Sequence, residues 1–98
     1  PAHHAGLARR IASEGGLLLS EYPLVYRGDK FTFPARNRLI AGLSHGVLVT
    51  ECPLRSGAMI TARVALECGK EVMALPGSVL EPNAEGPNTL IAQGAVPV

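Results

Sequence analysis

Cysteine is scarce in this chain. There are two in 98 residues, Cys52 and Cys68. They form no CxxC pair, and no histidine stands at zinc-ligand spacing. That excludes a zinc site readable from sequence, and it points to a reduced, cytoplasmic setting. Long apolar runs are absent too: none is long enough to span a membrane, and no signal-peptide pattern appears. Charged residues make up only 17% against 47% hydrophobic, which excludes a disordered chain. Neither a Walker A sequence nor GxGxxG occurs, and no paired carboxylates stand out, so no ATPase activity, metal or cofactor is expected. After Lys70 there is no cation at all.

The charges that are present are unevenly placed. Between Arg27 and Arg63, six basic residues face two acids, a balance of +4, and the remainder carries −3. The middle of the chain suits an anionic partner and the final third does not. Ninety-eight residues fit at most one domain with a modest core.

Residues 3–14 place Leu7 and Ile11 on one helical face, and Gly15-Gly16 stops that helix. "LLLS", 17–20, is expected as a strand buried on both faces. Residues 21–35 are expected as a long loop, broken by Pro23 and Pro34 and turned at Gly28-Asp29. A helix over 36–43 turns Leu39, Ile40 and Leu43 inward, and a strand at 46–50 follows. Ser56 is the expected N-cap of a helix carrying Ile60 and Val64 on one face and ending at Gly69. A strand at 71–75, a loop at 78–86, a helix at 87–93 with Pro87 in its first turn, and a short strand at 95–98 complete the chain. This alternation predicts an α/β fold: a Rossmann-like, three-layer parallel sheet with helices on both faces. Three or four strands make a thin sheet, so a partial domain is expected.

The most informative stretch is "KFTFPARNR". Lys30, Phe31, Phe33, Arg36 and Arg38 fall within nine positions. Single-stranded DNA offers phosphates to cations and unstacked bases to aromatic faces, so this mixture suits it. Other uses stay open. Phe33 can plug the core instead, Arg36 or Arg38 can pair with Glu21 or Glu51, and Asn37 can bond loop backbone. Further on, Ser56 and Gly57 begin a helix after a buried strand, where free N–H groups and a partial positive charge favour anions. Ser56 serves as a cap on either reading. Pro76, Gly77, Gly86 and Asn88 read as turn residues, and both cysteines read as buried fillers.

Four blocks, "GGLLLSEYP", "FPARNRLIAGLSHGVLVTE", "SGAMITARVALECGKEVMALPG" and "EGPNTLIAQGA", occur in one order. Together they resemble the DNA-processing protein A (DprA/Smf) family, from about residue 6 to residue 95. The resemblance implies a Rossmann-like domain that binds single-stranded DNA in DNA uptake and natural transformation. It also implies protection of incoming strands, help in loading the RecA recombinase, and a homodimer. Residues 1–98 correspond to the C-terminal part of that domain, since the family's Gly-Ser-Arg and Gly-Leu-Ala-Arg-Gly-Ile-Asp motifs are not in this sequence. By resemblance, Lys30 matches a phosphate-contacting lysine, Phe33 a base-stacking phenylalanine, and Arg36 and Asn37 the core of the family motif.

Two other classes share the scaffold. Phosphoribohydrolases carry a Pro-Gly-Gly-x-Gly-Thr-x-x-Glu turn, and "CPLRSGAMITA" lacks its double glycine and its glutamate. A nucleotide-binding sensor at Ser56-Gly57 would need a closed pocket too small for a DNA strand. No enzymatic activity is expected.

Overall fold

The computed structural model describes residues 2–98. A short 3-10 turn, Ala2–His4, leads into α1 (Ala5–Ser13), and α2 spans Thr32–Leu43. The remaining elements are β1 (Gly46–Val49), α3 (Gly57–Glu67), β2 (Glu71–Ala74), a 3-10 turn at Pro82–Ala84, α4 (Glu85–Ala92) and β3 (Val96–Pro97). The strands form one parallel sheet in the order β1-β2-β3, with Gly46 opposite Glu71 and Met73 opposite Val96. The fold is thus the α/β, Rossmann-like architecture expected from the alternation of elements.

Local chemistry sets the helix ends. The Ser56 hydroxyl accepts from the Met59 N–H at 3.4 Å, the expected cap of α3. At the other end, Gly69 and Gly94 take φ values of +68° and +107° just beyond α3 and α4. The N–H groups of Lys70 and Ala95 then reach back to the carbonyls of Ala65 and Leu90, both at 2.9 Å. That left-handed turn is strained for any residue with a Cβ.

The core is made of small side chains. Ala41 of α2, Met59, Ala62 and Ala65 of α3, Val49, Val72 and Ala74 of the sheet, Leu90 of α4 and Cys52 form one buried cluster. Alanines let α3 lie close to both α2 and the sheet. Gly86 shows how tight the packing is: a Cβ there would stand 2.5 Å from the Cys52 sulfur and 2.6 Å from its carbonyl oxygen. The Gly86 N–H donates to that same carbonyl at 3.0 Å.

Four sequence expectations need correction. "LLLS" forms no strand: Leu17, Leu18 and Leu19 are 81%, 57% and 63% exposed. A strand buried on both faces needs sheet neighbours, and β1 to β3 pair only with one another among the described residues. Second, α2 starts at Thr32 rather than residue 36. Pro34 falls in the first helical turn, where no N–H is required of it, so it does not break the helix. Third, Cys68 is exposed at the end of α3, whereas Cys52 is the buried filler expected. Fourth, Ile40 and Leu43 do not turn inward: they are exposed, and the buried face of α2 is formed by Asn37 and Ala41.

The amino-terminal part stands apart from this core. No residue of α1 is buried. The radius of gyration is 15.8 Å, against about 13 Å for a compact chain of this length.

Candidate nucleic-acid interface

Asp29 builds the start of α2. Its carboxylate accepts from the N–H groups of Phe31 (2.8 Å) and Thr32 (3.2 Å). The Thr32 hydroxyl answers by donating to the Asp29 carbonyl at 2.8 Å and accepting its N–H at 3.1 Å. This reciprocal cap satisfies two donors at the helix start, the N–H groups of Phe31 and Thr32, and fixes where Lys30 to Arg36 lie. The same carboxylate accepts from the Tyr26 hydroxyl at 3.4 Å. Its negative charge, with smaller contributions from partial desolvation and the hydrogen bond, raises the Tyr26 pKa above its usual value.

On this platform the cations sit over aromatic rings. The Lys30 ammonium lies 5.1 Å from the Phe31 ring centre. The Arg36 guanidinium lies 5.4 Å from that of Phe33, its neighbour one helical turn away. Phe31 and Phe33 are 71% and 58% exposed, so Phe33 does not plug the core. Among the described residues neither Lys30 nor Arg36 has an ion-pair partner. Both charges are available to an incoming anion.

Arg38 and Asn37 are placed differently. Arg38 pairs with Glu21 across the loop, an alternative left open by the sequence. Asn37 is buried against the core side of α2. Among the described residues its side chain makes no hydrogen bond to loop backbone. The cluster facing solvent therefore consists of Lys30, Phe31, Phe33 and Arg36.

A cavity of about 240 Å³ opens beside them, lined by Leu19, Ser20, Glu21, Tyr22, Gly28, Thr32, Phe33, Arg36 and Leu39. Ser56 and Gly57 lie elsewhere, in an open concavity of about 340 Å³ that also holds Arg55 and Arg63. The two concavities share no lining residue. Ser56 caps its helix, Gly57 leaves open space at its Cα, and the two arginines add positive charge that the sequence reading had not singled out as a site. The loop before α4 is held by Asn88, whose side chain bonds both the N–H (3.1 Å) and the carbonyl (2.9 Å) of Gly77, so Asn88 shapes a turn.

Comparison with known proteins places this surface in context. The family model for DNA recombination-mediator protein A matches residues 1–98. The chain belongs to that family. Protein Smf of Escherichia coli is 54% identical to this chain over 96 residues, 98% of the chain but only 26% of Smf. The chain thus spans about a quarter of that curated relative. The X-ray structure of DNA processing protein A from Streptococcus pneumoniae superposes with a TM-score of 0.85 at 45% identity, covering 100% of this chain and 34% of that one. The protein of the same name from Helicobacter pylori superposes with a TM-score of 0.82 at 36% identity, covering 99% of this chain and 44% of that one. That structure is described as revealing a single-stranded DNA binding mode. No described helix of the present family member is long and apolar enough to cross a membrane.

Proposed function

We propose that this chain supplies a single-stranded DNA binding surface at the start of α2, with Lys30 and Arg36 holding phosphates and Phe33 meeting a base. One observation carries the reading: two exposed cation–aromatic pairs stand side by side on a capped helix start, and neither cation is neutralised by an acid among the described residues. Phosphate contact and ring stacking are the two interactions a strand without a partner strand offers. The likeness to the Helicobacter pylori protein supports the same choice of ligand. Arg38, tied to Glu21, serves to pin the loop, and Asn37 serves to seat α2. Ser56 and Gly57, with Arg55 and Arg63, give the strand's backbone a second cationic stop.

The role is binding rather than catalysis. In the wider setting it is cytoplasmic protection of incoming DNA during natural transformation and help in loading RecA, by a homodimer. The open form of the Ser56-Gly57 concavity favours a strand over an enclosed small nucleotide. The test is fluorescence anisotropy of labelled oligo-dT at several salt concentrations, with duplex DNA alongside. The expected result is preference for the single strand, weakening as salt rises. Equal binding to duplex, or none by a chain shown folded by circular dichroism, would overturn the proposal.

A further inference from the structure

The turn at residues 23–26 carries apolar side chains that the core does not use. The Tyr26 N–H donates to the Pro23 carbonyl at 2.9 Å, which closes a tight turn with Leu24 and Val25 at its tip. Leu24 is 105% exposed and Val25 90%, so both aliphatic side chains stand clear of the protein. Neither belongs to the buried cluster, and each would gain by being covered.

The stem below the tip is held firmly. Tyr22 and Tyr26 stack with ring centres 4.6 Å apart and planes 21° from parallel. The Tyr26 hydroxyl donates to the Asp29 carboxylate at 3.4 Å, the same group that caps α2. The Tyr22 N–H donates to the Ser20 hydroxyl at 3.0 Å. The tip is thus tied to the α2 start through two side chains, Tyr26 and Asp29.

The charge around the tip selects its partner. Arg27 and Lys30 are exposed, and among the described residues neither has an ion-pair partner. The acids nearby are engaged: Glu21 accepts from Arg38, and Asp29 accepts from Phe31, Thr32 and Tyr26. An apolar tip next to free cations suits a polyanion that also offers an apolar face. A nucleic acid does so where its base stack ends, since the last base pair shows a flat ring face framed by phosphates. Leucine and proline are among the side chains that proteins press against base steps in this way.

We propose that the Leu24-Val25 turn is a wedge for the junction between single strand and duplex. The unpaired tail lies on the α2 surface, the tip covers the last base pair, and Arg27 meets the phosphate beside it. This junction role rests on the proposed single-strand reading of the α2 start and adds to it the point at which the duplex stops. Aliphatic side chains meet ring faces without hydrogen bonds, so the wedge has no base preference.

The test is fluorescence anisotropy with a labelled oligo-dT tail alone, the same tail extending 3′ or 5′ from a short duplex, and the blunt duplex. The whole chain is compared with its Leu24→Ser/Val25→Ser and Leu24→Met/Val25→Ile variants, with circular dichroism on each. Wild type is expected to bind at least one tailed duplex about fivefold or more tighter than the free tail, on the order of one covered aliphatic side chain. The serine variant should lose that margin yet bind the free tail within about twofold of wild type, while the methionine–isoleucine variant keeps the margin. 2-Aminopurine placed in the terminal base pair should change its fluorescence with wild type and not with the serine variant. Tailed duplexes bound no tighter than the free tail would overturn the wedge and leave the single-strand surface standing. A serine-variant loss of the same size on free tail and tailed duplex would do the same, since it would mark a contact made along any strand. Phosphatidylglycerol vesicles that sediment with wild type and not with the serine variant would overturn the wedge by assigning the tip to a lipid surface. Absence of binding to every DNA by a folded chain would overturn the wedge and the parent proposal together.

Discussion

The chain has a closed region and an open one. From Gly46 onward, strands and helices alternate, alanines fill the interior, and the glycine stops and backbone bonds leave little unspent. From Gly15 to Arg36 the opposite holds: four leucines, two phenylalanines and three cations without an ion-pair partner among the described residues face solvent, supported mainly by the Asp29 cap and a tyrosine stack. The contrast teaches a division of labour. Burial holds the closed region together, and it offers a partner little beyond the Ser56 helix start. The open region is held by local hydrogen bonds and offers charge beside aromatic faces.

Substitutions on each side should separate stability from binding. The largest expected effect is in the closed region. Gly86→Ala drives a methyl into the Cys52 backbone and should cost about 2 kcal/mol, read as a Tm lowered by roughly 10 °C in a calorimeter. Oligo-dT affinity per folded molecule should be unchanged. In the open region, Lys30→Ala combined with Arg36→Ala should lower oligo-dT affinity by about tenfold or more and flatten its salt dependence, with Tm within about 2 °C of wild type. A matching fall in Tm would erase the distinction between the two regions.

Asp29 belongs to the open region yet carries structure. Asp29→Ala should cost about 1 kcal/mol in chemical denaturation, and Asp29→Asn should recover most of it, because asparagine caps as well as aspartate. The asparagine variant also removes the charge that raises the Tyr26 pKa, so an ultraviolet titration should show that phenol ionising nearer 10.0 than in wild type. The sign is fixed. A tyrosine whose pKa is raised by folding lends its stability in full below pH 10.0 and loses it as the pH climbs through the folded value. The smallest effect belongs to Arg38→Ala. Its pair with Glu21 is exposed, so stability should change by less than about 0.5 kcal/mol and oligo-dT affinity by less than about twofold.

The two regions also differ in how readily the sequence discloses them. β1, α3 and β2 were legible because continuous apolar runs, a serine cap and a terminal glycine all agree there. The open region misled in a physical way. "LLLS" has the composition of a buried strand, but composition cannot supply the neighbouring strands that would bury it. Pro34 looks like a break and is a first-turn residue, a difference that depends on Asp29 capping five positions earlier. Lys30, Phe33 and Arg36 were visible as a mixture of charge and rings. Tyr22 was not, because its place depends on a chain reversal that brings residues 19–22 against α2, and no local spacing encodes that. The Arg38–Glu21 pair shows the same limit: sequence offered two acids, and only the fold chose between them.

The most direct measurement is amide chemical-shift mapping of the whole chain titrated with short oligo-dT. The shifts should concentrate at Tyr22 and from Asp29 to Leu39, with a weaker set at Arg55 to Arg63 and none around Gly86. Shifts confined to Arg55–Arg63, or spread over the loop at Val79–Glu85, would contradict the assignment of binding to the open region.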